Sequence, residues 1–195
     1  MRPSLHASDV VSAATRLADD VGFDAVSLSA VARTLGVQAP SLYSHVRDLA
    51  ALRDGITESA LRDLGARVSL AIAGRSGASA LRGLAHAHRD FARASPGGWQ
   101  SLQRRASEAV AGSSAARVVV ELMRAVLRGY ALPDEEHVHA IRLIGSTVNG
   151  FITLESLGSF DHSEPGPDVS WERTLDALDL LLRSWPVAPA EDVTR

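Results

Sequence analysis

The chain has 195 residues, a net charge of −3 and 46% hydrophobic residues, which excludes a disordered or low-complexity chain and points to a globular one. It contains no cysteine, so neither a disulfide framework nor a thiolate metal site is available. No apolar run approaches the roughly 18 residues of a membrane span, and the start of the chain lacks the apolar stretch of a secretion signal. A soluble, cytoplasmic protein with no membrane partner is expected.

The first helix is expected from about Ser8 to Val21. Val10, Val11, Ala14, Leu17, Ala18 and Val21 recur at helical spacing, with Ser8 as N-cap and Gly22 as stop. Residues 27–46, SLSAVARTLGVQAPSLYSHV, then read as two short helices around a tight turn. Ser27 can cap the first of them, and Val31, Ala32 and Leu35 form its apolar face. Gly36 sits where a helix ends in a left-handed residue, and Val37 follows as the apolar lock. Pro40 fits the first turn of a new helix, where its missing N–H costs nothing. Leu42, Tyr43 and Val46 form that helix's inward edge. This is the spacing of a helix-turn-helix, whose second helix enters the DNA major groove.

A fourth helix is expected from near Asp48 to about Ala73, because Leu52, Ile56, Ala60, Leu64 and Val68 repeat every four residues. It is too long for a small N-terminal bundle and carries the chain into a second domain. GRSGAS (74–79) marks a break. A fifth helix covers about Ala80 to Ala94, and SPGG (95–98) ends it. A short helical piece lies around Trp99–Arg105, and a further helix spans Ser113–Gly129. After a turn at Leu132–Asp134, the next helix runs from Glu135 to about Leu157, with Val138, Ile141, Ile144, Val148, Phe151 and Ile152 inward. Residues 158–168 form a loop. The last helix runs from Ser170 to about Ser184 and carries Trp171, Leu175, Leu178, Leu181 and Leu182, and the tail after Pro186 is expected to fray. No segment alternates as a strand does. The predicted class is all-α: an N-terminal three-helix helix-turn-helix DNA-binding domain over 1–48, plus a larger C-terminal helical bundle domain over 49–195. Helix 49–73 links the two.

The distribution of charge matters more than its total. No acidic residue occurs from Ala25 to Arg47, while Arg33, Arg47 and the titratable His45 lie inside that stretch. All 20 basic residues are Arg, which fits a genome composition bias, with selection for bidentate anion binding as the alternative.

Gly36, Val37, Leu42, Tyr43, His45 and Val46 resemble the helix-turn-helix of the tetracycline-repressor (TetR) family. There a Gly-Val turn precedes a helix ending in Leu-Tyr-x-His-Phe. Val46 stands where Phe is usual, Gln38 where Ser or Thr is frequent, and Leu49 where many members carry a phosphate-binding Lys. Residues 141–157 and 170–185 more loosely resemble the C-terminal domain of a subgroup, in which a His-Gly pair often occupies the place of Asn149–Gly150. The resemblance implies double-stranded operator DNA, a small-molecule effector and a homodimer as partners. It also implies that the last two helices pair with their symmetry mates in a four-helix bundle, and that Tyr43 and His45 hold phosphates.

The DNA-binding candidates are Ser27, Ser29, Arg33, Gln38, Ala39, Pro40, Ser41, Tyr43, Ser44 and His45. Gln38 has the chemistry to read adenine, and Ala39 or Pro40 to meet a thymine methyl. A solvated face also explains Ser27, Ser29 and Arg33, and Tyr43 also fits as a half-buried staple. The ligand-binding candidates are His88, Phe91, Trp99, Met123, Tyr130, Asn149 and Phe151, for each of which core packing is the alternative role. Arg82, Arg89 and Arg93 share a helix face, which fits either an anionic ligand or solvent. Gly145 and Gly150 permit close helix approach and, with Trp171, Leu175, Leu178 and Leu182, are the dimer-interface candidates. His86 and His88, like His137 and His139, are two apart on a helix, a poor geometry for a metal. No catalytic motif is present, so neither enzyme activity nor a cofactor is expected. The functional expectation is a ligand-responsive transcriptional regulator, a repressor released from an inverted-repeat operator by a small molecule. The alternative is a helical small-molecule carrier or adaptor that does not bind DNA, with a helical enzyme third.

Overall fold

The computed structural model describes residues 5–186, so the tail after Pro186 lies outside the described residues. Among them are ten α-helices and no strand. In order these are α1 (Ala7–Val21), α2 (Leu28–Leu35), α3 (Ala39–Leu42), α4 (Leu49–Ile72), α5 (Gly77–Ala94), α6 (Pro96–Leu102), α7 (Glu108–Ala111), α8 (Ser114–Leu127), α9 (His137–Ser156) and α10 (Pro167–Arg183). Single 3₁₀ turns occupy Phe23–Ala25 and Asp134–Glu136. No helix among the described residues is long and apolar enough to cross a membrane.

The helices of the N-terminal half form largely where the sequence places them. α1 begins two residues early, because the Asp9 carboxylate accepts the His6 N–H at 2.8 Å and caps the helix there. Ser8 is therefore inside the helix and not its cap. Gly36 adopts φ 65°, ψ 32°, and Val37 N–H bonds back to the Ala32 carbonyl at 3.0 Å, closing α2 with a left-handed residue that any Cβ would strain. The second helix of the motif is shorter than expected. α3 is helical only over Ala39–Leu42, and turns carry the chain to Val46. The hydroxyls of Ser41 and Ser44 donate to the carbonyls of Gln38 and Ser41, each at 2.7 Å, and so compete with the helical ladder.

Two cores fill the molecule. Val10, Ala14, Phe23, Val31, Leu42, Leu52 and Ile56 belong to the N-terminal one. The larger begins at Ala60, Leu64 and Val68 and continues through α5, α6, α8, α9 and α10. The row of apolar residues along α4 thus changes partner between Ile56 and Ala60, and a single uninterrupted helix belongs to both cores.

SPGG ends α5, with Ser95 as its C-cap, and at once starts another helix. Ser95 is the N-cap residue of α6 and Pro96 its first helical residue, the position where proline fits best. A Cβ on Gly97 would lie 2.2 Å from the carbonyl carbon of Ala18. Only glycine lets the first turn of α6 rest on the end of α1. The sequence reading also misses α7, a single turn whose N-cap, Ser107, accepts the Val110 N–H at 3.2 Å.

Candidate nucleic-acid interface and effector core

The reader surface is built by α2, its glycine turn and α3. Leu42 and Val46 are buried and pin this unit to the N-terminal core. Ser29, Arg33, Gln38, Pro40, Ser41, Tyr43 and Ser44 are exposed, whereas Ser27, Ala39 and His45 are half-buried. The Ser27 hydroxyl accepts the Ala30 N–H at 3.3 Å and caps α2. Gln38 occupies the N-cap position of α3 without bonding it through its side chain, so its amide is free to pair with a base edge. Tyr43 is 59% exposed, a correction to its expected place on the inward edge. A large aromatic ring held in water beside an acid-free segment is suited to a partner. Arg47 is committed to Asp48 at 2.8 Å, and Asp48 in turn caps α4 through the Ala51 N–H at 2.7 Å.

The C-terminal core holds most of the expected ligand residues, packed against one another. His88, Phe91, Trp99, Met123 and Tyr130 are all buried. His88 and Trp99 meet edge to face, with ring centroids 6.5 Å apart. The Leu84 carbonyl accepts from His88 Nδ1 at 2.8 Å, so the neutral ring keeps its proton there and presents Nε2 as an acceptor. Burial holds the His88 pKa below the usual imidazole range, against the opposing pull of that carbonyl. Trp99 Nε1 is buried and finds no hydrogen-bond acceptor. Tyr130 is tied to α10, its hydroxyl donating to Asp179 at 2.8 Å; burial and that carboxylate raise its pKa. Phe151 is half-buried and packs on Phe160 and Trp171 at 4.9 and 5.0 Å. Asn149 is likewise only half-buried, one turn along α9 from Gly145.

The arginine face of α5 is occupied by the chain's own acids. Arg82 pairs with Glu172 and Asp176, and Arg93 with Glu155 at 3.0 Å. Arg89, with only 6% of its side chain exposed, bonds Glu155 and Asp168 and lies 5.1 Å from the Trp171 ring centroid. These contacts favour structure over an anionic ligand at that face.

The dimer-interface candidates divide in two. Trp171, Leu175, Leu178 and Leu182 are 0–2% exposed within the single chain and belong to its own core, so they are not interface residues. The opposite side of α10 exposes Leu180 and Leu181, and α9 exposes Leu154, its C-cap Leu157, and Val138, the last a further correction to the set expected inward. Nothing lies within 4 Å of a Cβ built on Gly145 or Gly150. These glycines face outward, as close approach by a second copy requires.

The sequence reading missed the contacts that join the two halves. The Asp19 carboxylate accepts the N–H of Gly97 at 2.9 Å and the Ser95 hydroxyl at 2.9 Å. Gln100 Oε1 accepts the Phe23 N–H at 2.9 Å, and Arg104 pairs with Asp24. The one available signal was Ser-Pro, which reads as a helix start.

Comparison with known proteins adds to this geometry. Residues 10–52 match the family model described as bacterial regulatory proteins, tetR family, and residues 81–178 match the tetracyclin repressor-like C-terminal domain. The HTH-type transcriptional regulator YobS of Bacillus subtilis is 28% identical over 155 residues, covering 80% of this chain and 81% of its own. An HTH-type regulator of Mycobacterium tuberculosis is 30% identical over 163 residues, covering 82% and 75%. The structure of a TetR variant from Acinetobacter baumannii in complex with minocycline superimposes with a TM-score of 0.70 at 24% identity, covering 95% of this chain and 100% of that one.

Proposed function

The chain belongs to the TetR family of bacterial regulatory proteins and is a DNA-binding transcriptional regulator; we propose that it is a homodimeric repressor released from an inverted-repeat operator by a small molecule. The observation that carries this reading is the pairing of an exposed reader, with Gln38 and Tyr43 free at its surface, with a C-terminal core hydrogen-bonded to the same domain.

Two reader helices related by a two-fold axis contact successive major grooves. Gln38 and the flanking Ala39 and Pro40 read base edges. Tyr43, His45, Ser27, Ser29, Arg33, Ser41 and Ser44 contact phosphates and set the register. The outward faces of α9 and α10, with Gly145, Asn149 and Gly150, pair with those of the partner. The effector enters the core around His88, Phe91, Trp99, Met123, Tyr130 and Phe151. There Trp99 Nε1 and His88 Nε2 offer one donor and one acceptor among apolar walls. It must favour a state in which the reader helices no longer fit the groove spacing. Coupling of this kind typically amounts to about 1–3 kcal/mol, roughly 5–150-fold in operator affinity. The regulator acts in the cytoplasm, where its DNA is, and carries no enzymatic activity.

Selection of bound fragments from genomic DNA, followed by gel-shift assays across a salt series, tests the reading. A two-fold symmetric site preferred over random competitor, with affinity falling as salt rises, is the expected result. Equal affinity for every duplex at low ionic strength would overturn it, and retained small-molecule binding in that case would identify a carrier.

A further inference from the structure

A cleft of about 690 Å³ opens between the two halves of the molecule, apart from the effector core. Phe23 and Leu49 wall it from the N-terminal side, and Ala106 and Val110 face them from the C-terminal side. Arg53, Arg104 and Arg105 bring three guanidinium groups, against the carboxylates of Asp24 and Asp54. Three cations against two anions leave one net positive charge in a partly apolar cleft.

The five groups are not equally free. Arg104 is paired with Asp24, and Asp54 accepts the Ser107 hydroxyl at 3.0 Å. Arg53 lies over the Phe23 ring, 5.7 Å from its centroid, and its Nη2 donates to the Asp24 carbonyl at 3.1 Å. Its Nε is buried and has no hydrogen-bond acceptor. An unmet, buried donor on this half-buried cation is unfavourable until an acceptor arrives. Arg105 is exposed, and no carboxylate lies within ion-pairing distance of it among the described residues.

We propose that this cleft is a second small-molecule site, one that takes an organic monocarboxylate with an apolar body. The volume suits a small organic molecule. A guanidinium fork matches a carboxylate with two parallel hydrogen bonds, and Arg53 and Arg105 each have donors to spare. The single net charge favours a monoanion over a dianion, and the Phe23, Leu49 and Val110 surfaces suit an aryl or alkyl body. The walls come from both halves of the chain, so an occupant contacts the start of α4 and the segment between α6 and α7 at once. Its binding therefore biases how the reader sits on the C-terminal bundle.

Isothermal titration of the full chain with phenylacetate, in the absence of DNA, tests the assignment independently of the operator reading. Saturable binding is expected, with phenylacetamide at least about tenfold weaker because it lacks the charge. Arg105→Gln, at an exposed position, should weaken phenylacetate by about the same factor, and Ala106→Trp should abolish binding by filling the cleft. Absence of saturable binding would overturn the proposal, as would unchanged affinity in both variants. Tighter binding of phenyl phosphate would overturn the monocarboxylate assignment. Binding lost in Trp99→Phe and kept in Arg105→Gln would place the molecule in the effector core, with the same consequence.

Discussion

The carboxylate of Asp19, near the end of α1, accepts the backbone N–H of Gly97 in the first turn of α6 at 2.9 Å. Gly98 N–H adds a longer contact at 3.3 Å. An acidic side chain of the DNA-binding half thus caps a helix of the C-terminal half, where the helix dipole favours negative charge. The bond works only because Gly97 has no side chain to hold the two backbones apart.

Asp19→Ala removes this cap. The expected cost is about 1 kcal/mol, which lowers the melting temperature by roughly 2–4 °C in a chain of this size. Gly97→Ala should cost more, about 1–3 kcal/mol, because its Cβ must push α1 and α6 apart. Melting curves of both variants that superimpose on the wild type would remove Asp19 and Gly97 from the domain contact.

Gln38 and Tyr43 should fail in different ways. Gln38→Ala is expected to relax specificity at one base pair by about 1–3 kcal/mol, visible as a flattened position in a binding-site selection. Tyr43→Phe combined with His45→Ala should weaken all sequences together, since phosphate contacts carry no base information. Tyr43 is exposed and His45 half-buried, so the double variant should melt close to the wild type. Undiminished operator affinity would refute the phosphate role.

α10 separates assembly from folding. Leu180→Glu, at a position 66% exposed, should give a folded monomer, and Gly150→Arg on α9 should do the same. Leu178→Glu, at a position 2% exposed, should unfold the C-terminal core. Sedimentation velocity with circular dichroism reads both properties. An intact dimer for Leu180→Glu and Gly150→Arg would move the interface elsewhere.

His88 makes stability depend on pH. Its folded-state pKa lies below the usual value, so as pH falls through about 6.5 the unfolded chain takes up a proton that the folded chain refuses. The stabilisation is complete above that pH and is lost progressively as pH falls below it. Urea unfolding at several pH values should show a decline in the wild type that His88→Leu lacks. Parallel profiles would mean that the imidazole is not held neutral in the core.

Features set by neighbouring residues were legible in the sequence. The Gly36 turn, the cap at Ser27, the start of α4 near Asp48 and its long apolar row follow from spacing alone. The failures come from partners far along the chain. The need for glycine at position 97 is imposed by Ala18, and the arginines of α5 are answered by Glu155, Asp168, Glu172 and Asp176. Helix periodicity finds apolar stripes without saying what covers them. α10 has one stripe through Trp171 and Leu175 and another at Leu180 and Leu181, and only the folded chain shows that the first is its own core. Asp19 carries no local signal of its role, which depends on a glycine that local pattern reads as a break.

The handover of α4 from one core to the other between Ile56 and Ala60 sets where this protein can be recombined. A hybrid regulator spliced at the loop before Leu49 would strip the reading module of Leu52 and Ile56 and leave it hollow. A junction inside the helix, after Ile56 and in helical phase, keeps both modules filled. The seam between reading and sensing modules therefore lies in mid-helix, where no linker marks it, and a hybrid must also rebuild the contacts of Asp19, Phe23 and Asp24 across it.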